Sequence, residues 1–240
     1  MSFKVNLHFH TADDPRDTVA YSFEEAIERA ARLGFHALAL SCHERVISKE
    51  HYVTHAAARG ILLIPGVERD IEGRHVVILN VDRSIEQVAT FTELARYKSL
   101  HPDIFILAPH PYFPGDSSLM ELFKPHIALF DAVELSWFYA KHFNPFNRRA
   151  ERVAKTHHLP VISTSDTHDL RWLDTNYALV DAEEKTSASL FRALREGRFR
   201  NVSLPRSFMR EILPLAGRIL CERMLRFVKR KSGAPMRRPT

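Results

Sequence analysis

His8 and His10 stand two residues apart in the opening run KVNLHFH, and Asp166 and His168 repeat that spacing in STSDTH. On an extended strand, residues i and i+2 point to the same side, so each pair offers two donor side chains together. Three more donor residues come just after apolar runs: His43 after FHALALS, Glu68 after ILLIPGV and His110 after IFILAP. Imidazole nitrogens and carboxylate oxygens make a mixed N/O set suited to zinc, manganese or iron. Each residue alone is a weak signal, because a lone histidine near a strand end is more often a hydrogen-bonded core or surface residue. Seven such side chains behind five apolar runs are hard to assign to packing, and a cluster of that size can hold more than one ion.

These residues can meet only if the runs before them are neighbouring strands of one polarity. The runs KVNLHF, FHALAL, GILLIPGV, HVVILNV, IFILAP, DAVEL, PVIST and YALVD read as strands. They alternate with amphipathic segments, the βαβ pattern of a parallel sheet covered by helices. They are too apolar for a sheet with one wet side, which points to a closed α/β barrel. In such a barrel the strand ends of one polarity gather at one face, where active sites form. Helix starts are expected at Ser22 with Glu25, at Ser84 with Gln87, at Ser118 with Glu121, and at Asn144 before Pro145. A further helix is expected from Thr186 to Glu196, stopped by Gly197.

At 240 residues with net charge +5, the chain suits a single barrel domain over residues 1–204. An amphipathic helical extension is expected over 205–231, kinked at Pro214, followed by a basic flexible tail over 232–240. Met209, Ile212, Leu213, Ala216, Ile219 and Leu220 form its apolar stripe. The default for such a stripe is packing on its own domain, with a peripheral membrane helix or homodimer contact as the minority reading. No apolar run reaches the roughly 18–20 residues of a membrane span, and the amino terminus does not read as a secretory signal. The two cysteines, Cys42 and Cys221, imply no disulfide framework, and a cytoplasmic protein is expected.

Taken in order, LHFHTADD, LALSCHE, IPGVE, APHP and STSDTH resemble the successive motifs of the PHP (polymerase and histidinol phosphatase) domain family, from about residue 4 to about residue 182. The resemblance implies a distorted seven-stranded (β/α) barrel with two to three divalent ions (manganese, iron or zinc) at the C-terminal face of its strands. It also implies hydrolysis of a phosphomonoester or phosphodiester by water activated at those ions, with a small phosphate ester or a short nucleic acid as substrate. Carried over by residue, His8, His10, Glu68 and Asp166 would hold one ion. Glu68 would bridge to a second ion completed by His75 and His110. His43 and His168 would hold the third with an acidic residue of the loop TADDPRD, where Asp17 is chosen and Asp14 stays open. Glu68, His110, Asp166 and His168 are the residues expected nearest the chemistry.

Two positions depart from the family pattern: Asn6 and Cys42 stand where aspartates that orient ligands are usual. Cys42 reads as a buried small residue rather than a soft ligand. Arg45 and Arg171, and the loop residues Lys141, His142 and Asn147, are open to the substrate face, although solvated surface positions suit the arginines equally. An amidohydrolase also begins with H-x-H on a barrel, but it often carries a carboxylated lysine, and no lysine stands at a strand end here. The reading from a different class is a metal-binding module without catalysis.

Overall fold

The computed structural model describes residues 1–217 and 221. Nine strands form one sheet: β1 (Ser2–Phe9), β2 (Ala37–Leu40), β3 (Leu62–Ile71), β4 (Arg74–Leu79), β5 (Phe105–Ala108), β6 (Ala132–Leu135), β7 (Val161–Ser163), β8 (Asn176–Asp181) and β9 (Phe199–Ser203). Their spatial order is β7-β6-β5-β4-β3-β2-β1-β8-β9. The expected strands are all present. The seven strands that the resemblance implies are corrected to nine: eight match the runs read as strands, and a ninth at 199–203, absent from that reading, pairs with β8.

The sheet is also not wholly parallel. β4 runs antiparallel to β3 and β5, and β8 runs antiparallel to β1 and β9. The reversal at β4 comes from a tight hairpin at Glu72 and Gly73, both at positive φ, the geometry that favours glycine in two-residue hairpins. Ends β7 and β9 meet through side chains. Asn201 accepts from Ser163 N at 2.8 Å and donates to Val161 O at 2.7 Å, and Ser163 Oγ donates to Val202 O at 2.9 Å. The barrel is therefore nearly closed, with Asn201 as the stitch across its seam.

Every strand contributes to one apolar cluster, which includes Val5, Leu7, Ala39, Ile64, Leu79, Phe105, Leu107, Ile162 and Val180 and is continued by Leu190 and Phe191. The helices are α1 (Phe23–Arg32), α2 (Glu50–Ala57), α3 (Phe91–Leu100), α4 (Pro145–Thr156) and α5 (Ser187–Arg195), the last of which supplies Leu190 and Phe191 to that cluster. Ser22 and Glu25 form the expected capping box of α1, whose Phe23 and Ile27 are fully buried, each worth about 1.5–3 kcal/mol.

Two expected helix starts are corrected. Residues Arg83–Gln87 make only a 3-10 turn, because the Asp82 carboxylate takes the Ser84 amide, and the helix begins at a second capping box, Thr90 with Glu93. The segment after Ser118 forms two 3-10 turns, Met120–Leu122 and Ile127–Leu129. Between them Pro125 disfavours helix at the residue before it. Helix α2 was not read from the sequence.

The C-terminal segment opens with a π turn, Phe208–Ile212, just ahead of Pro214. Ile212 is buried with Phe138 and Ala140, whereas Met209 and Leu213 are exposed. The stripe positions Ile219 and Leu220, and the expected tail 232–240, lie outside the described residues. Among the described residues, no helix is long and apolar enough to cross a membrane.

Asn201→Ala leaves the Ser163 amide and the Val161 carbonyl without partners at the seam. A loss of about 1–3 kcal/mol is expected in urea unfolding at unchanged m-value. A loss under about 0.5 kcal/mol would show that the seam is held elsewhere.

Candidate metal centre

Chain continuations beyond the strands bring the donor residues together. After β2 the chain runs on beside β3, with a parallel bridge between His43 and Glu68. Glu68 N donates to Cys42 O at 3.2 Å and Glu44 N to Glu68 O at 3.0 Å. After β7 a second bridge joins Phe9 to Thr167, and His10 N donates to Thr167 O at 3.2 Å. The Tyr21 hydroxyl lies 2.7 Å from both the His10 and Thr167 carbonyl oxygens and braces that junction. The reversed β4 carries His75 back to the same end, where its amide donates to Ser117 O at 2.7 Å. His110 and Asp166 take left-handed backbone, φ 43° and 44°, a conformation uncommon outside glycine.

All nine expected residues stand at this one end. Glu68 is buried at the centre. Its Oε1 lies 2.9 Å from His75 Nδ1 and 3.2 Å from His110 Nε2. Its Oε2 lies 3.0 Å from His43 Nε2 and 3.3 Å from His8 Nε2. Asp166 Oδ1 lies 3.3 Å from His10 Nε2 and 3.5 Å from His8 Nε2, and Asp17 Oδ2 is 2.8 Å from His168 Nε2.

The two loop aspartates differ in surroundings. Asp14 is buried, and its Oδ2 meets His10 Nδ1 at 2.7 Å, His43 Nδ1 at 2.9 Å and His43 N at 2.8 Å. Its other oxygen accepts the amides of Arg16 and Asp17. Asp17 lines a cavity of about 140 Å³ with His43, Glu68, His75, His110, Asp166 and His168, whereas Asp14 is absent from its wall.

Three contributors were missed in the sequence. Glu134, in β6, is fully buried and holds His8 Nδ1 at 3.0 Å, so that Nε2 faces the centre. Its signal was a glutamate in the otherwise apolar strand AVEL. Trp137 and Phe113 line the cavity, with Trp137 Nε1 donating to Asp166 Oδ2 at 3.5 Å; no motif marks them. Asn6 takes the place of the usual aspartate as a brace, bonding the Ser165 hydroxyl through Nδ2 and accepting the amides of His8 and Ser165.

Other candidates fall away from the centre. Cys42 is buried in the cluster under α1, and burial pushes its thiol up to about 12, so it is no thiolate at neutral pH. Asn147 is buried and clamps the Ser136 backbone through both amide atoms. Arg45, Lys141, His142 and Arg171 are exposed and line neither this cavity nor the groove beside it.

The donor set fits divalent ions. Glu68 Oε1 is buried and makes no hydrogen bond, although two ring nitrogens stand within 3.2 Å. Lone pairs that converge without a shared proton are what an ion satisfies. Three triads, His8–His10–Asp166, His10–Asp14–His43 and His43–Glu68–His75, each bring one ligand atom per residue within 4.8 Å of the others.

The PHP domain profile matches residues 6–167. The chain belongs to the PHP family. A second profile, PHP-associated, matches residues 144–199, and no curated protein matches. Among solved structures, a two-domain protein containing a predicted PHP-like metal-dependent phosphoesterase from Bacteroides vulgatus aligns at TM-score 0.64 and 20% identity. The alignment covers 85% of this chain and 65% of that one. PsfC from Pseudomonas syringae aligns at TM-score 0.61 and 14% identity, over 90% and 96%. The lesion-specific endonuclease Q of Pyrococcus furiosus aligns at TM-score 0.62 and 17% identity, over 85% and 59%. The PHP chain thus spans about two thirds or less of the first and third of these proteins, and the likeness is one of fold.

Without ions, the cluster holds its charge with protons. Burial alone would raise the Glu68 carboxyl, but the charges of His75 and His8 and the close approach of the His110 and His43 rings hold it well below its ordinary value. Burial opposes charge on His43, yet Asp14 and Glu68 outweigh it and raise the imidazole to about 10. Asp17 and Asp166 likewise raise His168, against burial, to about 9. Raised folded-state values mean that the folded protein keeps protons that the unfolded chain releases above about 6.5. The stability these two imidazoles contribute to metal-free protein is therefore full below that pH and is lost as pH rises through about 9 and 10. Thermal unfolding of EDTA-treated protein should drop in midpoint across this window. With manganese present the drop should vanish, since ions bind the deprotonated ligands; a flat metal-free profile contradicts this account.

Proposed function

We propose that this PHP domain is a metal-dependent phosphoesterase acting on a phosphomonoester or phosphodiester. The observation that carries the reading is Glu68, whose two oxygens face different imidazole sets, as a bridging carboxylate must. In this assignment His8, His10, Glu68 and Asp166 would hold one ion, and Glu68 with His75 and His110 a second. Asp17 with His43 and His168 would hold a third. Asp17 takes the ligand role because it lines the cavity, whereas the oxygens of Asp14 are filled by ring and backbone N–H groups. When bound, divalent ions supply Lewis acidity, which acidifies the attacking water and offsets charge on the phosphoryl oxygens.

The protein's part is orientation. Asp14 fixes the Nδ1 atoms of His10 and His43, and Glu134 fixes that of His8, so each ring presents Nε2 inward. Trp137 holds the outer oxygen of Asp166 and, with Phe113, gives the cavity an apolar wall that limits water. Endonuclease Q, in complex with a 27-mer duplex bearing an abasic lesion, supports a phosphodiester as one substrate class, and a short nucleic acid stays within it.

Full-length protein with added manganese is expected to turn over p-nitrophenyl phosphate or bis-p-nitrophenyl phosphate. Glu68→Gln should reduce that turnover by more than the roughly 10–100-fold typical of changes behind the ligands. Bound metal without turnover of either ester would leave a metal-binding module without catalysis. Glu134→Ala leaves the His8 ring unanchored, so manganese affinity, read by calorimetry, should fall about 10–100-fold. Unchanged affinity would remove Glu134 from the centre.

A further inference from the structure

Beside the metal cavity lies a larger groove of about 590 Å³, whose wall runs from Asp17, Asp166 and His168 to Trp172, Arg206 and Glu211. Arg206 follows β9, outside both profile matches, which end at residues 167 and 199. Its amide is anchored to Tyr139 O at 2.8 Å. Its side chain is only 6% exposed, with the guanidinium 3.6 Å from the Trp172 ring centre and 5.2 Å from that of Trp137.

Stacking satisfies the faces of a guanidinium but not the N–H groups in its plane. Here Nε and Nη1 are buried and, among the described residues, make no hydrogen bond. The Glu211 carboxylate, itself 30% exposed, stands 3.5 Å from Nη1, too poorly placed to bond. A buried cation left in this state is costly unless something else meets it. The cost is explained if the missing partner is a ligand, because Nη2 completes a fork with either Nε or Nη1, and such a fork grips a carboxylate or phosphate with two parallel bonds. The groove carries that fork beside Asp166 and His168, so one molecule can reach both.

We infer that Arg206 is the receptor for a second oxyanion on the substrate, a phosphate or a carboxylate, and so selects phosphoesters that carry a further negative group. The selectivity rests on the phosphoesterase reading; the anion site does not. Glu211 occupies the receptor loosely until the substrate displaces it.

Both tryptophans of the chain, Trp137 and Trp172, flank Arg206, so intrinsic fluorescence reports on this groove. Full-length protein, with manganese and after EDTA, is titrated with inorganic phosphate and with succinate. A saturable emission change is expected in both metal states, and the tighter of the two anions identifies the second group. Arg206→Gln should weaken it at least tenfold and Arg206→Lys less, because an ammonium keeps the charge without the fork. Glu211→Gln should tighten it several-fold by removing the competing carboxylate, which tests the idea even if Arg206→Gln fails to fold. Binding that survives Arg206→Gln but not EDTA places the anion at the metals and overturns the inference, as does Glu211→Gln without effect. For turnover, the ratio of kcat/KM for 4-carboxyphenyl phosphate over phenyl phosphate should fall at least tenfold in Arg206→Gln. Intact anion binding with no turnover of either ester would sink the phosphoesterase reading and leave the Arg206 site standing.

Discussion

A carboxylate with almost no exposure sits at the middle of this molecule, ringed by imidazoles. Glu68 is 1% exposed and meets nitrogens of His8, His43, His75 and His110 within 3.3 Å. A buried anion is tolerated only when it is neutralised at close range, and here the neutralising groups come from four separate parts of the chain. Protons on the rings can do this, and so can divalent cations, and the two compete for the same lone pairs. The rest of the barrel serves to hold those groups against one another, with Asp14 and Glu134 behind the rings and Asn6 and Tyr21 locking β1 to the loop after β7.

Backbone direction does as much as residue identity. A wholly parallel barrel would bring the start of β4 to the wrong end and leave His75 far from Glu68. The hairpin at Glu72 and Gly73 reverses β4, so its second residue returns to the rim. The continuations after β2 and β7 extend pairing past the strands proper, and His43, Asp166 and His168 stand on those extensions. Outside the centre, Arg206 and Glu211 follow β9 and add a wall to the groove that the donors open into.

The spacing of the pairs His8–His10 and Asp166–His168, and the apolar runs before His43, Glu68 and His110, made the gathering at one face readable from sequence. Periodicity alone signals strands and cannot count them, so β9, with its mixed run FRNVS, went unseen. Caps compete locally: Ser84 with Gln87 spells a helix start, yet Asp82 claims the Ser84 amide first. Glu134 and Arg206 were hidden for a related reason. A charged residue inside a strand or after one carries no sequence sign of whether it meets a histidine, stacks on a tryptophan or faces water.

The left-handed backbone at His110 and Asp166 sets fold against use. At each position a non-glycine residue gives up roughly 1–2 kcal/mol that glycine would not, so on backbone strain alone glycine would suit both. Redesign scored on backbone strain alone would favour that exchange and strip the rim of two donors. Of the seven non-glycine residues at positive φ among those described, these two are where the requirements of the site prevail over those of the backbone.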